Sequence, residues 1–375
     1  MKILMLLSNP FITDLRVYNE AKALTDDGHE VAVIVWDRRH EYESKDVVEG
    51  IKLIRLHNNF LMKILPNDLF RNPVWWRKSY RMGLKLYKDG FDFDVVHCHD
   101  LDTLQMGVWL KKKTDCKLVY DAHEIFGYMI EGNISKFVVN YVFRMEKKLI
   151  KHVNHVITVN EPLEEYFEKI TKVPITIVMN CKDLIFENYE PSKNEVFTVS
   201  FIGNLSRDRF FPEIIDTLGD VKNIKFAIAG KKEHLKLYHE VERRSAKYEN
   251  VEFLGQITFN RVIPETCKSD VVLCPLNPFA ATPKIATANK QFDAMTCGRP
   301  IICTKGTHPG DMTKRLQCGL VVDYDLNSIK EAVIKLRDDP QLCKKLGMNG
   351  LKVAIDKYNW EKQKEKLLQV YGKID

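Results

Sequence analysis

Three stretches of this sequence carry residues whose types and spacing can do chemistry. The first, FTVSFIGNLSRDRFFPEII (197–215), runs from an apolar stretch through Gly203 and Asn204 into a turn with Arg207 and Arg209, and becomes helical around Pro212. Such a turn offers backbone N–H groups and a helix N-terminus to an anion. A guanidinium suits a diphosphate because it stays charged and donates two parallel hydrogen bonds. The same residues also fit a solvated basic turn. The second stretch, PKIATANKQFDAM (283–295), supplies Lys284, Asn289, Lys290 and Asp293. On a helix Lys290 and Asp293 are i, i+3 neighbours, and Asn289 and Asp293 are i, i+4. A helix start with Lys290 would hold phosphate, and a carboxylate one turn on could accept hydrogen bonds from both hydroxyls of a ribose. The plain alternative is a surface ion pair of ~0.3–0.5 kcal/mol. The third pattern is a pair of segments, VVHCHDLD and VYDAHE, which place His97, His99 and His123 where strands end. A histidine there can donate, accept or exchange a proton, or simply tie down a loop. His97 is expected to point into its domain, and His123, followed by Glu124, to face a ligand.

The elements that must position these residues alternate along the chain. Apolar runs at 2–7, 30–36, 51–56, 94–99, 117–122, 155–159 and 175–179 read as strands, with helical periodicity between them, as in 14–26 and 137–152. Runs without in/out alternation suit a parallel sheet covered on both faces. The polar, Pro-containing segment NYEPSKNE (188–195) reads as a linker, and a second series of strands follows at 197–203, 224–230, 251–255, 270–275, 300–304 and 319–323. The expectation is an α/β chain with a first domain over 1–187 and a second over 188–357. The helix 358–375 would return to pack on the first. In open parallel sheets ligands bind beyond the carboxyl ends of the strands, where all three chemical stretches fall.

Composition narrows the function classes. At 375 residues the chain is long enough for two α/β domains, and its 45% apolar and 29% charged content is that of a globular protein. No run approaches the ~20 apolar residues of a membrane span. The short apolar start, Ile3 to Leu7, is followed at once by Asp14, Arg16 and Glu20 and reads as a first strand, so the expected location is the cytoplasm. The nine cysteines form no C-x-x-C pair and suit a reducing compartment; no metal ligands are assigned. A net charge of +6 without clustering argues against nucleic acid. The dinucleotide glycine loop, the P-loop and the G-x-S-x-G elbow are all missing.

Taken in order, DLRVYNEAKALTDDGHEVAVIV, VVHCHD, LVYDAHE, FIGNLSRDR, FAIAG, VEFLGQI, SDVVLCPL, NKQFDAMTCGRPII and the closing YNWE resemble glycosyltransferase family 4 over essentially the whole chain. The resemblance implies a GT-B fold, two Rossmann-like domains facing across a cleft, and retaining transfer from a nucleoside-diphosphate sugar, UDP- or GDP-linked, without a metal or other cofactor. It implies that Gly203, Asn204 and Arg209 hold the diphosphate with Lys290, that Asn289 and Asp293 serve the donor, and that His123 lies near the anomeric centre. Two departures stand out. Asp293 replaces the last glutamate of the family's E-x7-E motif, and Ile285 replaces the first, so recognition of the transferred sugar must differ. The glycine pair common in the family's first loop is also missing. Closure of the domains, with the 358–374 helix in the hinge, would exclude water. The same donor site would serve a nucleotide-sugar epimerase or a non-catalytic nucleotide-sugar-binding subunit, although the joint presence of Arg209, Lys290 and Asp293 argues against a dead site.

The acceptor side is read from residues 60–91, which hold seven basic residues against two acidic, interleaved with Phe60, Leu61, Ile64, Leu65, Phe70, Trp75 and Trp76. This mixture suits either the headgroup layer of an anionic membrane or a helix packing its aromatic residues on the first domain. The resemblance adds a glycan, lipid-linked or small-molecule acceptor, reached at the inner face of the membrane in the lipid-linked case.

Overall fold

The computed structural model describes residues 1–12, 14–65, 68–131 and 134–374; Pro66 and Asn67 of the basic aromatic stretch lie outside the described residues. Contacts divide the chain into two compact units, Met1–Met179 with Lys364–Asp375, and Asn180–Gln363.

The first unit is built on one sheet with strands β1 (Lys2–Leu7), β2 (Glu30–Asp37), β3 (Lys45–Val48), β4 (Ile51–His57), β5 (Val95–His99), β6 (Lys117–Ala122), β7 (His155–Thr158) and β8 (Ile175–Ile177). Their order is β3-β4-β2-β1-β5-β6-β7-β8. Every pairing is parallel except β3 with β4. Strands β1, β2, β5 and β6 are buried along nearly their whole length, which is why their sequences are continuous apolar runs. Strand β3 corrects the expectation of a purely parallel sheet. It turns back through Glu49 and Gly50, at φ 49° and 88°, the left-handed pair that a two-residue hairpin needs.

The second unit contains β9 (Phe197–Gly203), β10 (Ile224–Gly230), β11 (Val251–Gly255), β12 (Val271–Cys274), β13 (Ile301–Thr304) and β14 (Gly319–Val322), in the order β11-β10-β9-β12-β13-β14. All of its pairings are parallel. Phe201, Phe226, Ile228, Leu273, Ile302 and Leu336 form its core. Both sheets have the doubly wound order, which reverses at β1/β5 in the first unit and β9/β12 in the second. Those reversals are where ligands enter such sheets.

The division does not fall at 187/188 as expected. Residues after Met179 are already tied to the second unit. The Thr296 hydroxyl donates to the Asp183 carbonyl at 2.8 Å and accepts from the Ile185 N–H at 3.2 Å. Arg299 Nη1 donates to the Glu190 carbonyl at 2.6 Å. At the other end, Tyr358 stacks on Phe292 and the Trp360 N–H donates to the Lys182 carbonyl, so the chain leaves the second unit only at Gln363, inside the helix Trp360–Ile374.

In the basic aromatic stretch, helices span Phe60–Ile64 and Asp68–Lys88. Trp75 is fully buried, its ring stacked on Trp36 at 5.1 Å, and Trp76 donates to the Asp102 carbonyl. Trp75 fills the first unit, and Trp76 is half-buried beside it. Phe60 (79% exposed), Leu61, Ile64 (62%) and Phe70 do stand in solvent. Among the described residues no helix is long and apolar enough to cross a membrane.

Candidate functional site

In the second unit, β9 ends at Gly203 with φ 154°, and the short helical turn Arg207–Arg209 follows. A Cβ added to Gly203 would stand 3.2 Å from Lys290 Nζ and 3.8 Å from Arg209 Nη1. Two cations therefore converge on a backbone position that is kept free of a side chain. Arg209 Nη1 donates to the Asn204 carbonyl at 2.7 Å, while the Asn204 Oδ1 is buried without a partner. Burial lowers the Arg209 pKa.

Lys290 sits in the first turn of the helix Asn289–Thr296, whose N-cap residue, Ala288, supplies no side-chain cap. Its stem is half exposed, but Nζ is sealed from solvent, lies 3.6 Å from the centroid of the Phe201 ring, and has no hydrogen-bond partner. Burial, with a smaller contribution from Arg209, lowers its pKa to about 7. Asp293 follows one turn later at 6% exposure, also with an unpartnered buried oxygen, Oδ1. Burial raises its pKa to about 6, against the opposing pull of Lys182 and Lys290. Asn289 is exposed, and its Oδ1 accepts from Asn180 Nδ2 at 3.1 Å. Ile285 ends the separate five-residue helix Ala281–Ile285. Gly203, Asn204, Arg209 and Lys290 are thus brought together, with Asp293 beside them. A buried lysine amine, a guanidinium and an uncapped helix start can together receive a dianion. The unpartnered carboxylate oxygen can accept from hydroxyls.

In the first unit, the ends of β5 and β6 gather a buried polar cluster. Asp121 Oδ2 lies 2.7 Å from His123 Nε2 and 2.9 Å from His99 Nδ1. The backbone N–H of His123 donates to Asp100 Oδ1 at 3.0 Å, and its Nδ1 lies 3.4 Å from Asp100 Oδ2. Both ring nitrogens of His123 therefore face carboxylates. Burial alone would lower its pKa, but Asp121 and then Asp100 raise it well above the usual value. Nearby, Arg16 reaches Asp14 at 3.2 Å, and Asp14 also accepts from Asn9 Nδ2 at 2.9 Å. His97 is fully buried, with Nδ1 2.6 Å from the Tyr371 hydroxyl.

Glu20, Asp100, Asp121, Phe201 and Lys182 were not picked out from sequence. Asp100 and Asp121 had a signal, since each adjoins or alternates with the histidines in the two segments already singled out. Glu20 had one too: it falls among the buried Val17, Ala21 and Leu24 of the helix Leu15–Asp26, a carboxylate on an apolar stripe. Phe201 and Lys182 have none short of the fold. Among the described residues one group, Glu20, His97, His99 and Asp121, places four potential ligand atoms within 4.8 Å of one another.

Comparison with known proteins divides along the same two units. Residues 15–184 match the family described as Glycosyltransferase Family 4, and residues 197–339 match Glycosyl transferases group 1. An uncharacterized glycosyltransferase of Methanocaldococcus jannaschii is 22% identical over 383 aligned residues, covering 100% of this chain and 99% of its own. Among solved structures, sucrose-phosphate synthase from Thermosynechococcus elongatus superposes with a TM-score of 0.81 at 16% identity, covering 100% of this chain and 99% of that one. HepE of Anabaena, solved in complex with UDP-glucose, does so with a TM-score of 0.73 at 14% identity, covering 100% of both chains.

Proposed function

The chain belongs to the glycosyltransferases of the family 4 type, and on that premise we propose that it is a retaining enzyme transferring a sugar from a nucleoside-diphosphate sugar. The observation that carries the donor assignment is the convergence of Lys290 Nζ and Arg209 Nη1 on Gly203, with Asp293 one turn further along the same helix as Lys290. The diphosphate would lie over Gly203. Asp293 would accept hydrogen bonds from the ribose hydroxyls, and Asn204 and Asn289 would serve the same ligand. UDP is the first nucleotide to test, because HepE binds UDP-glucose on the same fold.

In this reading the bond from the anomeric carbon to the phosphate oxygen breaks while the acceptor oxygen bonds the same face of the sugar, its proton passing to the departing phosphate. Negative charge grows on the diphosphate, where Arg209, Lys290 and the helix start await it. Removing one such preorganised donor typically costs about 10²–10³ in rate. His123, whose ring nitrogens face Asp121 and Asp100 and whose pKa those carboxylates raise, would offer the sugar positive charge. The acceptor is a glycan, a lipid-linked sugar or a small molecule. Exposed Phe60, Leu61, Ile64 and Phe70 beside Lys63 support peripheral contact with an anionic membrane.

A thermal-stability screen against UDP, GDP, CMP, ADP and the matching nucleotide sugars tests the donor site. A ligand at ~100 times its dissociation constant adds ~2.7 kcal/mol. The expected result is a shift with one nucleoside diphosphate and its sugars that Asp293→Ala largely abolishes. A folded protein that answers to none of them ends this reading.

A further inference from the structure

Nine cysteines are scattered along the chain, and all of them are free. In the second unit the fold brings two of them into contact. Cys267 is the last residue of the helix Phe259–Cys267, and Cys297 directly follows the helix Asn289–Thr296 that carries Lys290 and Asp293. These two helices pack on each other, and their C-terminal ends set Cys267 Sγ 2.9 Å from Cys297 Sγ. The pair is 30 residues apart in sequence, so no spacing motif announces it.

The two thiols are not equivalent. Cys267 is partly exposed, whereas Cys297 is fully buried. Arg299 anchors the first, its Nε and Nη2 donating to the Cys267 carbonyl at 3.2 and 2.8 Å. The Cys297 N–H donates to the Asp293 carbonyl at 3.2 Å, and its Sγ lies 3.8 Å from the Ile263 carbonyl. Contact with the Cys297 thiol, helped by the Arg299 charge, lowers the Cys267 pKa against the opposing effect of burial. Cys267 and burial raise that of Cys297. One sulfur is therefore reached from solvent and ionises readily, and the other waits behind it with its proton. Thiol–disulfide exchange needs this division between an attacking and a resolving sulfur. Cys274 and Cys303 lack it. They are register partners on β12 and β13, but both are sealed from solvent.

We propose that Cys267 and Cys297 form a reversible oxidation site for small-molecule disulfides. The Cys267 thiolate attacks one sulfur of the reagent and expels the other half, leaving a mixed disulfide on Cys267. The Cys297 sulfur then attacks Cys267 Sγ and expels the second half. Each expelled half takes up the proton that its attacker has lost. Two protein thiols are oxidised to one disulfide, and the reagent's disulfide is reduced to two thiols. The new bond ties the end of the helix Asn289–Thr296 to its neighbour. Lys290 lies at the opposite end of that helix, roughly 10 Å away along the axis. The bond therefore acts on the stability of the second unit and leaves the diphosphate contacts in place. In a reducing compartment it is transient.

The test uses the full reduced chain, incubated with excess glutathione disulfide, blocked at its remaining thiols and mapped by mass spectrometry. Two of the nine thiols should be lost first, in one linked peptide pair that joins Cys267 to Cys297. Dithiothreitol should restore both. The linked protein should melt several degrees above the reduced one, because the bond closes a loop in the unfolded chain. Cys297→Ser should stop at the mixed disulfide on Cys267, Cys267→Ser should form no bond at Cys297, and Cys116→Ser in the first unit should close like wild type. Folded wild type that keeps all its thiols, a first bond between any other pair, a Cys267 adduct that never closes, or a linked protein that melts no higher would each overturn the proposal.

Discussion

Lys290 is held in a costly condition. Its ammonium is buried against Phe201 without a hydrogen bond, and its pKa is lowered to about 7. The unfolded chain keeps a lysine near its ordinary value, so at neutral pH the unfolded state binds more proton than the folded one. The residue therefore costs stability, and that cost shrinks as pH rises from 7 toward 10. Lys290→Met should raise folding stability at pH 7 by about 1–4 kcal/mol while removing the response to nucleotide. Unfolding in urea with and without ligand measures both; a destabilised variant would contradict the account. Asp293, raised to about 6, sets the other limit. Binding a diphosphate needs Lys290 charged, and gripping a diol needs Asp293 ionised. Affinity for a nucleotide sugar, whose own phosphates do not titrate in this range, should peak between about 6 and about 7. Above that window it should fall by up to about tenfold per pH unit. Calorimetry in two buffers should register proton uptake on the alkaline side and release on the acid side. Equal proton release at both would refute the assignment of the two groups.

Whole elements were legible where burial dictates their residue types. The strands carrying both sites are continuous apolar runs because both sheet faces are covered, and the helix Asn289–Thr296 was placed by its spacing. Strand β3 was not legible: it lies exposed on the sheet edge, so no burial pattern marks it, and only the Glu49-Gly50 turn announces it. Gly203, Arg209, Lys290 and Asp293 were singled out by residue type and spacing, and the fold sets Lys290 and Arg209 close to Gly203. Pairings such as Lys290 with Phe201 cannot be read from spacing, since they join a helix to a strand 89 positions away. The basic aromatic stretch mixes the two outcomes. Trp75 belongs to the core, whereas the helix Phe60–Ile64 leaves Phe60 and Ile64 bare. The double variant Phe60→Ser, Ile64→Ser should leave folding within about 0.5 kcal/mol of wild type, since neither side chain is buried. It should reduce co-sedimentation with anionic liposomes. Unchanged, salt-insensitive recovery of both proteins would dismiss the membrane face.

At the scale of the molecule, each unit has its own sheet and core, and the chain passes from the second back to the first at Gln363–Lys364. The helix Trp360–Ile374 therefore serves both units. Its last part supplies Leu367, Val370 and Tyr371, all buried, to the unit that holds the histidine cluster. Burying a large apolar side chain is worth about 1.5–3 kcal/mol, so removing residues 364–375 strips several kcal/mol from the first unit. It also deprives His97 of its Tyr371 partner. The proposed donor residues all lie between Asn180 and Gln363, and the hydrogen bonds described for Asn289 and Arg209 run to Asn180 and Asn204 within that unit. Two cores need not unfold as one, so calorimetry of such a chain can resolve separate transitions. Truncation after Gln363 should lower or erase one transition. The other should still rise with a nucleotide sugar by RT ln(1 + [L]/Kd), and this surviving shift should disappear with Asp293→Ala. Loss of the nucleotide response on truncation alone would mean that donor binding depends on the first unit as well.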